Sequence, residues 1–223
     1  QNYTVTVSVL ATPGKAYYGT LTSRAQRYGD AQTLTASSTQ IFDPADTFKL
    51  ATALDTQRDI FYIGMGAAGN YSIHVYDNAS TNANVSPRII TITTMHRVAG
   101  LALDMANDRL YAINLDITTG PSTNRFIFRI NNASTRNGTL TAGTDYSQIT
   151  STALHTGNQG MRRMTLDTQR DILYICHFAN NAVLAYDGVS TYAHGATHEP
   201  ARTITSVVQP TGITLDMANN ILF

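Results

Sequence analysis

The side chains able to do chemistry recur at matched places along this chain. Asp55, Asp104, Asp167 and Asp216 each follow a leucine and open a short polar stretch, and Asp59, Asp108 and Asp171 stand four residues further on in three of those copies. Carboxylates converging from distant parts of a chain could hold a divalent cation or share acid and base roles. Such a site needs different residues in different roles, whereas here one residue type fills one turn position in every copy. The reading is therefore structural: a leading Asp accepts backbone N–H groups across a tight turn, and all seven aspartates are assigned to turns. No catalytic residue, metal ligand or cofactor is expected.

The other reactive groups give weaker signals. Of the six histidines, His194 and His198 have the i, i+4 spacing of a metal pair, but that spacing shares a face only on a helix, and here it falls in a Gly- and Ala-containing loop. The one cysteine, Cys176, lies in the apolar run 172–176, which makes it a buried, inert thiol and rules out an internal disulfide. Gly64, Gly66 and Gly69 read as a hairpin turn, since no helix follows to make a dinucleotide loop.

What positions these residues is a repeat. Residues 53–63 recur at 165–175, and a sister version at 102–111 recurs at 214–223. A degraded copy begins at Leu10, so the anchors are Leu10, Leu54, Leu103, Leu166 and Leu215, spaced 44, 49, 63 and 49 residues apart. Intervals of about 40–50 residues are those of propeller blades. The longer third interval predicts an insertion in the blade after Leu103. Each full copy holds four strand-like runs: a short one ending at Leu-Asp, an Ile-Leu-Tyr-Ile type, a third such as 73–76, 126–130 or 183–186, and a fourth after proline such as 88–92 or 202–205. They are rich in β-branched and aromatic residues and bounded by Asn, Asp, Gly and Ser, with no sustained 3.6-residue apolar period. The expected fold is all-β: a propeller of four-stranded antiparallel blades in one domain over residues 1–223, four full blades plus a partial fifth.

On these residues the chain resembles the NHL and YVTN class of propeller repeats. It is similar to bacterial surface-protein repeats with a frame of Leu-Asp, Leu-Tyr, Val-Tyr-Asp-Asn-Ala-Ser-Thr and Pro-x-Arg-Thr-Ile. The resemblance runs from about residue 45 onward; residues 1–44 match weakly, with Ala11 where the frame has Asp. It implies the fold and leaves function open, because propellers host many unrelated activities.

The chain opens at Gln1 inside a strand-like pattern with no leader before it, so either a leader has been removed or this is a piece of something longer. The last copy stops at Phe223, where its second strand begins. Three readings compete: a longer array, completion by the N-terminal stretch within one ring, or completion in a neighbouring molecule. Tyr3, Val5, Val7 and Val9 line one face of an alternating strand that would suit donation to a sheet edge, and donation between copies would give head-to-tail self-association.

Composition sets the wider bounds. Hydrophobic residues make up 43% of 223, enough for a core, while charged residues make up only 13% and the formal net charge is +0. A neutral chain carries no overall attraction for nucleic acid or an anionic membrane, and no apolar run is long enough to span a bilayer. Asn2, Asn70, Asn78, Asn132 and Asn137 open Asn-x-Ser/Thr triplets, as does Asn84 ahead of Pro87, so glycans are candidate partners. The expected function is a non-enzymatic extracellular or cell-surface scaffold, structural or adhesive, as the repeating subunit of a surface filament. The rivals are a metal-dependent, lactonase-like hydrolase with a tunnel site, and a glycan- or protein-binding module whose contact surface is the 116–145 insertion with Pro121 and an exposed Phe126.

Overall fold

The computed structural model describes residues 4–5, 16–20, 25–28, 39–42, 49–66, 71–81, 86–116, 124–156 and 160–223, with side chains placed from residue 51 onward. Tyr3, Val7, Val9, Leu10, Asn2, Asn70, Asn84 and Pro121 lie outside these residues.

Successive strands pair as antiparallel meanders. The first sheet holds β1 (Thr4–Val5), β2 (Ala16–Thr20), β3 (Ala25–Tyr28) and β4 (Thr39–Phe42). The second runs β5 (Lys49–Asp55), β6 (Ile60–Met65), β7 (Ile73–Asp77) and β8 (Arg88–Thr91). In the third, β9 (Arg97–Asp104), β10 (Arg109–Leu115) and β11 (Phe126–Asn131) are followed by a two-residue strand, β12 (Gly138–Thr139), and closed by β13 (Tyr146–Ile149). The fourth holds β14 (Met161–Asp167), β15 (Ile172–His177), β16 (Ala182–Asp187) and β17 (Arg202–Ile204), and a last hairpin pairs β18 (Leu215–Asp216) with β19 (Ile221–Leu222). Helix is confined, among the described residues, to single 3₁₀ turns at Ala133–Thr135, Thr152–Leu154, Phe178–Asn180 and Val189–Thr191.

The sheets stack in chain order: β2 of the first sheet lies against β5, and from there the first strand of each sheet lies against that of the next, β5 against β9, β9 against β14 and β14 against β18. The period-two geometry of a strand then sends alternate side chains to opposite neighbours. Along β10, Leu110 and Ala112 enter the core shared with the second sheet, while Tyr111, Ile113 and Leu115 enter the core shared with the fourth. Strands covered on both faces become continuously apolar, and all six residues of β6 are buried. Glycines permit the closest approach: a Cβ on Gly64 would lie 2.5 Å from Val98 Cγ1, and one on Gly100 3.1 Å from the Arg162 carbonyl oxygen. The first strands, expected to be short, run seven or eight residues because they carry this stacking.

The structure also assigns the insertion after Leu103 a purpose. β12 leaves its own sheet and adds to β8 in parallel, making the second sheet five-stranded with one parallel edge, where wholly antiparallel four-stranded blades were expected. Leu140 N–H donates to Thr91 O at 2.9 Å and the Thr91 and Thr139 hydroxyls meet at 3.0 Å. The next blade repeats the device on β13: His198 N–H donates to Thr150 O at 2.8 Å, and the Thr150 and Thr197 hydroxyls meet at 3.0 Å. Each of these outer edges is thus closed by a loop of the following blade. Phe126, taken from the sequence as exposed, is 8% exposed and belongs to the core, because β11 packs against the second sheet.

At the N-terminus, Thr4 pairs with Thr20 and Val5 with Gly19 inside the first sheet. The backbone of Val5, read as part of a donor strand, is here used within its own chain.

Candidate functional site

The recurrent aspartates gather at one rim of the stack. Asp55 Oδ1 accepts the N–H groups of Gln57 and Arg58 at 2.9 and 3.0 Å, and its Oδ2 accepts Arg58 Nη1 at 2.9 Å. Asp167 repeats this with Gln169 and Arg170 at 3.0, 3.0 and 2.9 Å. Asp104 and Asp216 instead take the backbone and side-chain N–H groups of Asn107 and Asn219. The alternation of Arg and Asn three residues on is the alternation of the two repeat versions. Burial works against ionisation of Asp167, yet the Arg170 guanidinium and the backbone N–H groups prevail and hold its pKa below the usual carboxylate range.

Asp59, Asp108 and Asp171 sit at φ 57°, 51° and 56°, left-handed values that Asp tolerates better than most residues. Each reaches beyond its own hairpin to the turn after the third strand. There Ser80, Ser134 and Ser190 donate both N–H and Oγ–H to these carboxylates, the hydroxyl bonds being 2.6, 2.7 and 2.7 Å long. This accounts for two of the Asn-x-Ser triplets on structural grounds. Asn78 and Asn132 hold φ 53° and 51°, and the matching residue of the next blade is Gly188 at φ 71°. Asn132→Gly should therefore leave the thermal midpoint within about 1 °C of wild type, whereas Asn132→Ala should lose about 1 kcal/mol, since alanine has no ease in the left-handed region. Thermal unfolding of both variants checks this. Asn137 is exposed, and its Oδ1 accepts Ile89 N–H at 3.2 Å as part of the edge closure.

The opposite rim is where the copies differ. Each long first strand carries one extra residue near its start: pairing jumps between Lys49 and Ala51, between Val98 and Gly100, and between Met161 and Met164. Bulges of this kind re-aim side chains. In β14 the irregular stretch holds Arg162 and Arg163, and Arg162 lies 4.9 Å from the Phe178 ring centroid. On the same rim Arg125 is fully buried, its Nη1 donating to His155 O at 3.3 Å, and His177 is fully buried, its Nδ1 accepting Asn180 N–H at 3.3 Å. Burial, followed by the Arg125 charge, pushes the His177 pKa down. On the neighbouring seam Asp116, 2% exposed, accepts the Asn124 amide at 3.3 Å and stands 4.0 Å from His96 Nδ1, while Tyr71 tilts against His96 with ring centroids 5.5 Å apart. The sequence reading passed over this rim because it followed what repeats. The available signal was the reverse: the residue closing the second strand is Met65, Leu115 or His177, and the residue after it Gly66, Asp116 or Phe178.

The remaining candidates serve the fold. His194 Nδ1 accepts Gln148 N–H at 3.1 Å and His198 stacks on Tyr192 with centroids 3.7 Å apart, so both brace the closed edge of β13. Cys176 is buried, its thiol donates to Gly212 O at 3.4 Å, and burial pushes its pKa up to about 11. Among the described residues no three His, Cys, Asp or Glu side chains are grouped so as to hold a metal ion. Among them, too, no helix is long and apolar enough to cross a membrane.

No protein-family model matches the chain. No curated protein matches it either. A solved structure titled "Crystal structure of Nidogen/Laminin Complex" superposes with a TM-score of 0.60 at 15% identity, covering 94% of this chain and 62% of that one. The chain therefore spans less than two thirds of the chain it matches, and at this identity the likeness is one of fold. That likeness, together with all-β sheets stacked through their first strands, makes the fold a β-propeller.

Proposed function

We propose that this chain is a non-enzymatic extracellular scaffold, a propeller of the NHL/YVTN-like repeat class that associates head-to-tail with further copies of itself through its blade edges. The observation behind this reading is the relay of edges. β8 and β13 are each closed by a segment from a loop of the next blade, added to the strand edge. Addition of a segment to a strand edge is the same main-chain contact by which a further copy would join at β17. The match to a complex of two proteins, nidogen and laminin, favours a binding role over a catalytic one. The recurrent carboxylates, occupied in internal hydrogen bonds, favour the same side.

Sedimentation velocity on the purified chain tests the proposal. Association should rise with concentration and be lost in Ile204→Lys, with the thermal midpoint of the variant unchanged. A single monomeric species at every concentration reached would overturn it.

A further inference from the structure

We infer that His194 is a pH-sensitive latch on the outer edge of the third sheet: neutral, it holds the 193–198 loop of the fourth blade against β13, and protonated, it lets that loop go. The two closed edges are built alike, and their likeness isolates the histidine. Ile89 in β8 and Gln148 in β13 each stand two residues before the threonine, Thr91 or Thr150, whose hydroxyl meets a threonine of the next blade at 3.0 Å. In both edges the N–H of that earlier residue is accepted by a side chain of the next blade. Asn137 Oδ1 takes Ile89 N–H at 3.2 Å, and His194 Nδ1 takes Gln148 N–H at 3.1 Å. An amide oxygen accepts at any ordinary pH. An imidazole nitrogen accepts only while it lacks a proton, and histidine is the side chain that gains one between about pH 8 and pH 5. One edge is thus closed permanently and its neighbour conditionally.

The geometry fixes which nitrogen is involved and what protonation removes. A backbone N–H can only donate, so in the closed edge Nδ1 carries the lone pair and Nε2 the proton. The ring stands edge-on to Tyr146, with centroids 6.0 Å apart and planes at 83°. A proton on Nδ1 sets two donors face to face and leaves Gln148 N–H without its acceptor. The bonds that remain are Gly195 N–H to Gln148 O and His198 N–H to Thr150 O, both at 2.8 Å, so the loop peels from the end that His194 holds. His194 is exposed, and a proton reaches it without unfolding. The charged and titratable groups around it are engaged elsewhere. Asp145, just ahead of β13, pairs with Arg136 at 2.7 Å, and Arg129 of β11 donates to Ser147 Oγ at 3.1 Å. Glu199 accepts the N–H groups of Thr152 and Ala153, and His198 stacks on Tyr192. Among the described residues no carboxylate is bonded to the His194 ring, so no ion pair favours the cation in the closed edge. The latch acts within one molecule, whether or not copies of the chain associate.

Amide hydrogen exchange of the isotope-labelled chain, followed residue by residue by NMR, tests this. Between about pH 7.5 and about pH 5.5, after correction for the intrinsic pH dependence of exchange, protection of the Gln148 amide should fall about threefold or more, while that of Ile89 stays constant. His194→Asn, which copies the other edge, should make the Gln148 amide insensitive to pH. His198→Gln should keep the wild-type fall. A Gln148 amide unchanged in the wild type, an equal fall at Ile89, a fall that persists in His194→Asn or one that disappears in His198→Gln would each overturn the proposal.

Discussion

Gly64→Val is expected to cost the fold about 3 kcal/mol, at the upper end of what overpacking a core costs. Gly64 lies in β6 and faces β9 of the next sheet. Its Cβ would fall 2.5 Å from Val98 Cγ1 and 2.8 Å from Val98 Cβ, with the Val98 carbonyl oxygen at 3.2 Å. A flexible side-chain end could swing away from such a contact. A β-branched residue 1% exposed in a two-sheet core cannot, because its χ1 is stiff and every alternative position is occupied. The sheets must part, and the stack has one interface per blade to absorb the shift. Urea unfolding gives the loss directly. The test of mechanism is the pair Gly64→Ala and Val98→Ala: the double variant should recover stability relative to the sum of the singles by about 1 kcal/mol or more. Additive losses would mean that the two residues do not meet.

Asp167→Ala should be nearly as damaging, with a loss of about 2–3 kcal/mol. The residue is 0% exposed and serves three donors: the N–H groups of Gln169 and Arg170 and the Arg170 guanidinium. Alanine would leave all three without their acceptor at the mouth of a tight hairpin. Asp167→Asn keeps one oxygen and the shape, and should recover about half of the loss. The same site sets a pH dependence. The folded-state pKa of Asp167 is depressed, so its contribution is present above the unfolded carboxylate value of about 4 and is lost as pH falls through the folded value. Stability of the wild type should therefore drop on acidification below about pH 4, and Asp167→Asn should show a flatter profile over that window. Parallel profiles for the two proteins would show that Asp167 is not held as an ion.

Much of the architecture was legible in the sequence because the interactions that write it are local. The bonds from Asp55 and Asp167 span two and three residues, and the hairpin strands follow at once in the chain. The continuous apolar runs at 60–63 and 172–176 announced strands covered on both faces, and the five leucine anchors announced their repetition. The turns after the third strand matched one another in the sequence, with Gly188 standing where the other two copies have Asn78 and Asn132, and all three hold left-handed φ values.

What the tertiary structure alone decided lies between blades, where partners stand far apart in the chain. The Thr91–Thr139 hydroxyl pair spans 48 residues, and Arg129 reaches the Ser190 carbonyl across 61. No spacing rule foretells that the insertion after Leu103 would close the edge of the preceding sheet, that Phe126 would be buried, or that Val5 would pair with Gly19. The sequence by itself determined the hairpins and their recurrence, since turn chemistry and strand alternation act within a few residues. Stacking determined which edges are closed and which charges face one another, since burial and electrostatics act through space whatever the separation along the chain.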